Sequence, residues 1–288
     1  MIRTDTMKTF IKQFVKRLVD SFVRITNKTN FGRYLQNQVV NTAMGQTLKI
    51  SHGLLELTLA VPNQLCHWRA KTFSIKEPET LEWIDGFSDG AILWDVGANV
   101  GLYSVYAAKR RNCRVWAFEP LVFNLELLAR NVFLNGVNDR VCLVPLALSS
   151  KLGSSQLYMT SVEGGGALST FGQDYGYDGK TMHHIFEFQT FGLSMEDAVQ
   201  RLGLPNPDYI KMDVDGIEHL ILQGGRSVLG QVKGVLIEVN DDFLEQAEHC
   251  RRLLTEAGLV LRAKRHSEMV ANSTAGFQNS YNHIWVRQ

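Results

Sequence analysis

Short apolar runs alternate with helix-like segments from Ala91 to the C-terminus, and this alternation restricts the fold more than any other feature. The runs typical of strands are AILWDV, CRVWAFE, RVCLVPLAL, DYIKMDV, GVLIEV, LVLRAK and YNHIWVR. Segments with helical spacing, such as GLYSVYAAKR and VFNLELLARNVFLN, separate the first of them. Because parallel strands must be joined by crossover connections, the pattern predicts an α/β domain over residues 91–288 with a doubly wound, mostly parallel sheet.

Residues 46–90 differ in pattern from the core that follows. The stretches TLKI, LLELTLAV and RAKTFSI are short and strand-like, whereas EPETLEWIDGF has helical spacing. We therefore expect a small β-rich region before the core. Within the core, the Gly-rich and polar stretch from Ser149 to His184 predicts a long irregular segment of functional or mobile character.

Residues 1–45 begin with a predicted amphipathic helix. Its apolar residues recur at helical spacing, and they are Phe10, Ile11, Phe14, Val15, Leu18, Val19, Phe22 and Val23. Basic residues lie among them, namely Lys8, Lys12, Lys16, Arg17 and Arg24. Two interpretations fit this pattern. The helix packs on its own domain or on a second subunit of a homo-oligomer, or it makes a peripheral contact with an anionic membrane surface.

Charge and cysteine content exclude several classes of protein. The 288 residues carry a net charge of +1, which provides no basic field for a nucleic-acid partner. Four scattered cysteines, without a C-x-x-C pair or a neighbouring histidine at zinc-ligand spacing, predict free thiols in a reducing compartment. No apolar run approaches the roughly 18 residues of a membrane span, so we expect a cytoplasmic protein.

The stretch LWDVGANVGLYS joins the first core strand to the first core helix through a glycine turn. Asp95 ends the strand, and the turn contains Gly97, Asn99 and Gly101. Glu119 ends the next strand, where a carboxylate is placed to accept hydrogen bonds from both hydroxyls of a ribose. The dinucleotide fingerprint G-x-G-x-x-G is absent, although a pyrophosphate requires it for close approach. The pattern therefore indicates a nucleoside ligand without phosphates, and a side chain at Gly97 is expected to block its passage.

The chain from about Thr72 onward resembles the FkbM family of methyltransferases. The matching segments are EPETLEWIDGF, LWDVGANVGLYS, VWAFEPLVFNLELLARNVFLNG, DYIKMDVDGIEHLILQGG, GVLIEVN and YNHIWVR. The resemblance implies a seven-stranded class I methyltransferase sheet that binds S-adenosylmethionine. It also implies methyl transfer to a hydroxyl of a small molecule or glycan. Asp215 departs from the pattern, because a glutamate is expected at that position.

The resemblance also assigns roles to individual residues. Asp95, Gly97, Asn99 and Gly101 would form the floor of the cofactor site, and Glu119 would hold the ribose. Ala147, near the end of the third strand, would lie at the adenine edge. Asp213 and Lys211 would face the methyl group and the acceptor.

A sugar hydroxyl is a poor nucleophile and benefits from a general base or a metal ion. Asp213 is the first candidate for the base, because it ends a predicted central strand; no metal site is predicted. The leading hypothesis is an O-methyltransferase that acts on a saccharide or glycoconjugate. The alternatives are an NAD-dependent oxidoreductase, which the missing glycines disfavour, and a noncatalytic binding module on a methyltransferase scaffold.

Overall fold

The computed structural model describes residues 2–266, 268–271 and 276–288, and the chain divides into two compact units, Met1–Gln46 and Thr47–Gln288. The first unit contains the helices α1 (Ile2–Thr26) and α2 (Asn30–Met44). Thr29 caps α2, because its hydroxyl accepts a hydrogen bond from the backbone N–H of Gly32 at 3.0 Å. None of the helices in the described residues is long and apolar enough to span a membrane.

The second unit begins with one antiparallel hairpin and two helices. These elements are β1 (Thr47–His52), β2 (Leu55–Ala60), α3 (Gln64–Lys76) and α4 (Pro78–Asp85). The strand predicted for RAKTFSI is therefore wrong, because that stretch lies in α3. The side chain of Asn63 caps this helix by accepting from the N–H of Cys66 at 2.8 Å. Cys66, Ala70 and Phe73 then become buried at helical spacing.

Strands and helices alternate from Ile92 to Val144 and again from Tyr209 onward, as the sequence predicts, whereas several strands follow one another between these two parts. The first five elements are β3 (Ile92–Val96), α5 (Leu102–Arg110), β4 (Arg114–Phe118), α6 (Val122–Leu134) and β5 (Val141–Val144). The next five are β6 (Ala147–Leu148), β7 (Gly153–Met159), β8 (Ser169–Phe171), β9 (Phe186–Leu193) and α7 (Met195–Gln200). The last eight are β10 (Tyr209–Met212), α8 (Glu218–Gln223), α9 (Arg226–Leu229), β11 (Gly234–Asn240), α10 (Leu244–Glu256), β12 (Leu259–Arg265), α11 (Glu268–Ala271) and β13 (Ser280–Arg287).

Seven strands form the central sheet in the order β12-β13-β11-β10-β3-β4-β5. β13 runs antiparallel to both of its neighbours, whereas the pairs formed by β3, β4, β5, β10 and β11 among themselves are parallel. This arrangement confirms the predicted doubly wound, mostly parallel α/β fold. Leu93, Val115, Ile210 and Leu236 are fully buried, so the sheet carries the hydrophobic core on both of its faces.

A second, four-stranded sheet takes two strands, β7 and β8, from the stretch that the sequence predicts to be irregular, and β6 and β9 flank that stretch. Its order is β6-β9-β7-β8. Leu157 and Met159 on β7 are buried, and this alternation stabilises the strand in spite of its Gly- and Ser-rich start. The stretch RVCLVPLAL is also not one strand, because β5 ends before Pro145. Proline cannot donate to the ladder, and Ala147–Leu148 pairs with β9 instead.

Candidate active site

The carboxyl ends of β3 and β10 lie side by side at the switch point of the central sheet. Successive strands extend from β3 toward β4 and β5 on one side, and β10 and β11 lie on the other. Open α/β sheets bind ligands at such positions. Two cavities of about 60 Å³ and 630 Å³, called here the small and the large cavity, lie at this point. Residues that line both cavities are Gly97, Asn99, Ala167, Asp213 and Asp215.

The glycine turn after β3 contributes two residues to both cavities. Gly97 and Asn99 have left-handed backbones, with φ of 77° and 52°. A Cβ atom on Gly97 would lie 2.0 Å from the carbonyl oxygen of Asp213. The expectation that a side chain at Gly97 would only obstruct a ligand is therefore incomplete. This side chain would first collide with the backbone at the end of β10.

Glu119 follows β4 and its carboxylate is bound to the glycine turn. One carboxylate oxygen accepts the backbone N–H of Asn99 at 2.7 Å, and the other accepts that of Leu121 at 2.9 Å. Burial raises the pKa of Glu119 to about 7, although these hydrogen bonds oppose the shift. Each oxygen retains acceptor capacity, and Glu119 lines the small cavity. The structure therefore places this carboxylate in the wall of the small cavity beside the glycine turn, and its contact with a ribose stays a prediction.

Asp95 and Gly101 support the turn, and neither is among the residues that line the two cavities. The carboxylate of Asp95 is buried and accepts the hydroxyl of Ser104 on α5 at 2.5 Å. Gly101 has φ of 78°, and a Cβ atom there would lie 2.1 Å from Leu128 Cδ1 on α6. The two residues thus hold β3, α5 and α6 together beneath the site.

A glycine-rich segment, residues 163–168, lies against the turn and was not identified as part of the site from the sequence. The Asn99 and Asn124 side-chain amides both donate to the carbonyl oxygen of Gly166, at 2.7 and 3.1 Å. At its end, the Asp215 carboxylate accepts the N–H groups of Leu168 at 2.7 Å and Ser169 at 3.2 Å. The unexpected aspartate at position 215 therefore anchors this segment.

The small cavity combines a mostly apolar lining with acidic residues. Its apolar lining includes Phe118, Leu146, Ala147, Leu148 and Ile217, and Glu119 supplies a carboxylate. Ala147 thus lies on the predicted side, although it belongs to β6 and not to the central sheet. The volume is below the roughly 300 Å³ of ordinary ligand pockets. Gly166 and Ala167 of the glycine-rich segment form part of its wall.

Asp213 lies between a buried lysine and a second carboxyl group. Lys211 Nζ is 3.3 Å from Asp213 Oδ2, and the Lys211 side chain is 2% exposed. Burial opposes ionisation of Asp213, but the Lys211 charge outweighs it and holds the pKa of Asp213 well below its ordinary value. Burial and the Asp213 charge raise the pKa of Glu238 well above its ordinary value, and the two carboxyl groups are hydrogen-bonded.

The two predicted catalytic residues, Asp213 and Lys211, differ in their access to the cavities. Asp213 lines both cavities together with the glycine turn, whereas Lys211 is not among the lining residues of either. Burial lowers the pKa of Lys211, but Asp213, Asp95 and Glu77 outweigh this effect and raise it above its ordinary value. The Lys211 ammonium group therefore stays charged, and it orients the Asp213 carboxylate from a buried position outside both cavities.

Residues from α3, α4 and β13 complete the large cavity and were not predicted to be functional. Lys76 and Glu77 form an ion pair at 2.6 Å, and Glu79 accepts the side-chain amide of Asn282 at 2.8 Å. Aromatic side chains line the same cavity, namely Trp68, Tyr177 and Phe277. The rings of Tyr177 and Phe277 have centroids 4.5 Å apart. The residues of α3, α4 and β13 carry no sequence signal, because these elements lie outside the predicted strand-end motifs, whereas Tyr177 falls within the long segment that the sequence marks as functional or mobile.

Three histidines, His183, His184 and His219, do not line either cavity. His219 is buried at the start of α8 and its ring stacks on that of His249. The Nε2 atom of His184 lies 3.4 Å from the carboxylate of Glu187, and both side chains are partly exposed. Within the described residues, no group of three or more His, Cys, Asp or Glu side chains is arranged to hold a metal ion.

Comparison with known proteins gives consistent matches over this part of the chain. The family described as "Methyltransferase FkbM domain" matches residues 95–261. Hexuronic acid methyltransferase AglP of Haloferax volcanii is 26% identical over 198 residues, covering 67% of this chain and 73% of that protein. Methyltransferase sdnD of Sordaria araneosa is 28% identical over 151 residues, covering 45% and 58%. The solved structure of M. jannaschii TYW2 in complex with AdoMet gives a TM-score of 0.42 at 13% identity, covering 84% of this chain and 87% of that chain.

Proposed function

This chain belongs to the FkbM methyltransferase family, and from that premise we propose that it transfers the methyl group of S-adenosylmethionine to a hydroxyl group of a saccharide. The observation that carries the proposal is the glycine turn, which contacts two acidic residues. The pKa of one, Glu119, is raised, and the pKa of the other, Asp213, is lowered. Asn99 binds Glu119 in the small cavity, and Gly97 adjoins Asp213 at the large one. A donor nucleoside and an acceptor would thereby meet at one turn.

The lining of the large cavity supports a saccharide as the acceptor. Trp68, Tyr177 and Phe277 offer flat apolar surfaces, which suit the C–H faces of a sugar ring. Carboxylate and amide groups of Glu79 and Asn282 offer hydrogen bonds to hydroxyls. The relative from Haloferax volcanii is named a hexuronic acid methyltransferase, which supports the same class of acceptor.

The residues of the site have separate roles in methyl transfer. S-adenosylmethionine supplies an activated methyl group, so alignment and proton removal fall to the protein. Glu119 holds the ribose, and the glycine-rich segment covers the small cavity. The Asp213 carboxylate accepts the proton of the acceptor hydroxyl. Lys211 fixes the orientation of this carboxylate, and Glu238 is hydrogen-bonded to it.

A methyl-transfer assay with isotopically labelled S-adenosylmethionine and a panel of glycans tests the proposal. We expect label in a saccharide product as an O-methyl ether, identified by mass spectrometry after glycosidic cleavage. Calorimetry with S-adenosylmethionine and NAD distinguishes the alternatives. Binding of NAD alone would support the oxidoreductase, and binding of S-adenosylmethionine without transfer to any hydroxyl acceptor would support a binding module.

Replacement of Glu119 by alanine is expected to weaken cofactor affinity roughly 30-fold or more, because a charge-assisted pair of ribose hydrogen bonds contributes about 2–3 kcal/mol. The measurement is isothermal titration calorimetry at pH 8, where Glu119 is ionised. Glu126→Ala, at an exposed position on α6, is the matched control. Unchanged affinity in a folded Glu119→Ala variant would remove this carboxylate from the ligand site.

Cofactor affinity should also depend on pH through Glu119. Its pKa of about 7 in the free protein means that half of the molecules are protonated at that pH. The ionised form accepts ribose hydroxyls better, so affinity is expected to fall as the pH decreases through 7, with uptake of ligand releasing a proton. Calorimetry in buffers of different ionisation enthalpy measures this release. The Glu119→Gln variant should lose it.

A further inference from the structure

The apolar side chains of α1 form an exposed face in the first unit. They occur as adjacent pairs that recur every fourth residue: Phe10 and Ile11, Phe14 and Val15, Leu18 and Val19, Phe22 and Val23. Each of the eight is exposed, and the four aromatic or leucine side chains at positions 10, 14, 18 and 22 retain 69%, 54%, 55% and 51% of their surface. A contiguous apolar face of this kind marks an interaction surface.

The spacing of this face argues against a two-stranded coiled coil. A left-handed coiled coil requires an average apolar spacing of 3.5 residues, which keeps a narrow seam on one side of each helix. A spacing of four residues advances by about 40° in each repeat, so the paired residues cover a wide arc. A wide apolar arc matches a planar interface better than the seam of a partner helix.

Charge complementarity identifies the chemistry of that plane. Described basic residues along the rest of α1 are Lys12, Lys16, Arg17 and Arg24, all of them exposed. Asp20 is the acidic residue in the same stretch. None of these residues takes part in a salt bridge within the described chain. The helix therefore offers an apolar face together with an excess of unpaired cations.

We infer that α1 lies in the surface of a membrane rich in anionic phospholipids, with its apolar face in the acyl boundary and its basic residues at the headgroups. The helix is too polar to cross a bilayer, whereas an interfacial helix needs only one apolar side. Each basic residue near an anionic surface contributes about 1 kcal/mol to binding. This attachment is independent of the acceptor chosen by the active site.

The test uses the full chain and vesicles of phosphatidylcholine with or without phosphatidylglycerol. We expect flotation with the anionic vesicles at about 0.01 M salt and release at about 1 M salt, because the Debye length falls from about 30 Å to about 3 Å. The triple variant Lys12→Gln, Lys16→Gln, Arg17→Gln should partition roughly 100-fold more weakly. Glutamine preserves helix propensity, so α1 itself should remain formed.

A matched variant separates the helix from the overall charge of the protein. Lys151, Arg251 and Arg262 are exposed basic residues of the second unit, and their replacement by glutamine removes the same three charges. This control should float like the wild type. Failure of the wild type to bind anionic vesicles at low salt, or equal loss of binding in the control, would overturn the inference.

Substitutions in the apolar face of α1 provide a second test of the inference. The Phe14→Asp, Leu18→Asp variant should also lose vesicle binding, while analytical ultracentrifugation should give one unchanged mass for it and the wild type in the absence of lipid. A wild-type dimer that dissociates in this variant would show that a second copy of the chain covers the face, and the membrane inference would fail.

Discussion

Replacement of Gly97 by alanine is expected to destabilise the fold by roughly 3 kcal/mol or more and to abolish measurable cofactor binding. The left-handed backbone costs a non-glycine residue about 1–2 kcal/mol, and forcing extra atoms into a packed region costs about 1–3 kcal/mol. Here the added Cβ meets the Asp213 carbonyl oxygen at 2.0 Å. Backbone atoms cannot rotate away, so the ends of β3 and β10 must separate.

Gly90→Ala is the matched control for this effect. Gly90 precedes the same strand and has φ of 74°, close to the 77° of Gly97, but a Cβ atom there has nothing within 4 Å. Denaturant unfolding should therefore show only the backbone cost in Gly90→Ala, with normal cofactor affinity by calorimetry. Equal stability of the two variants would contradict the close contact between Gly97 and Asp213.

The central sheet could be predicted because its strands are apolar on both faces and are separated by helices of regular period. Leu93 and Ile210 lie in such runs and are fully buried, and the strand ends then place Asp95, Glu119 and Asp213 at one edge. The glycine turn also follows from the sequence, since its left-handed conformations require glycine or asparagine. Which of these residues line a cavity does not follow, as Asp95 and Gly101 illustrate.

The errors in the sequence prediction have local and tertiary causes. RAKTFSI has the β-branched and aromatic content of a strand, but the Asn63 cap and the burial of Phe73 stabilise a helix there. β7 begins with small polar residues, so its pairing with β9 over seven positions has little sequence signal. Glu79 and Asn282 are hydrogen-bonded in the large cavity although more than two hundred positions separate them, and no local sequence pattern predicts such a contact.

Asp213→Asn is expected to reduce turnover by about 10²- to 10⁴-fold, the usual contribution of a general base, with near-normal cofactor affinity. The amide preserves the shape of the side chain but cannot accept the proton of the acceptor hydroxyl. Single-turnover methyl transfer measures the chemical step, and calorimetry measures cofactor affinity. Turnover within about threefold of the wild type would exclude Asp213 as the base, and thermal unfolding verifies that the variant is folded.

The neighbouring carboxyl group sets the pH at which this base works. The pKa of Glu238 is raised by burial and by Asp213, so the Asp213–Glu238 pair retains one proton. This proton opposes the uptake of a second proton, the one that leaves the acceptor hydroxyl. Turnover should therefore rise with pH as the retained proton leaves. Glu238→Gln still donates a hydrogen bond to Asp213 but has no proton to lose. At saturating S-adenosylmethionine, where the effect of Glu119 on affinity is removed, the turnover of this variant should be lower at high pH and nearly independent of pH. A variant that retains the wild-type pH profile would show that Glu238 does not control the ionisation of the base, whereas a flat profile would assign that ionisation to the pair.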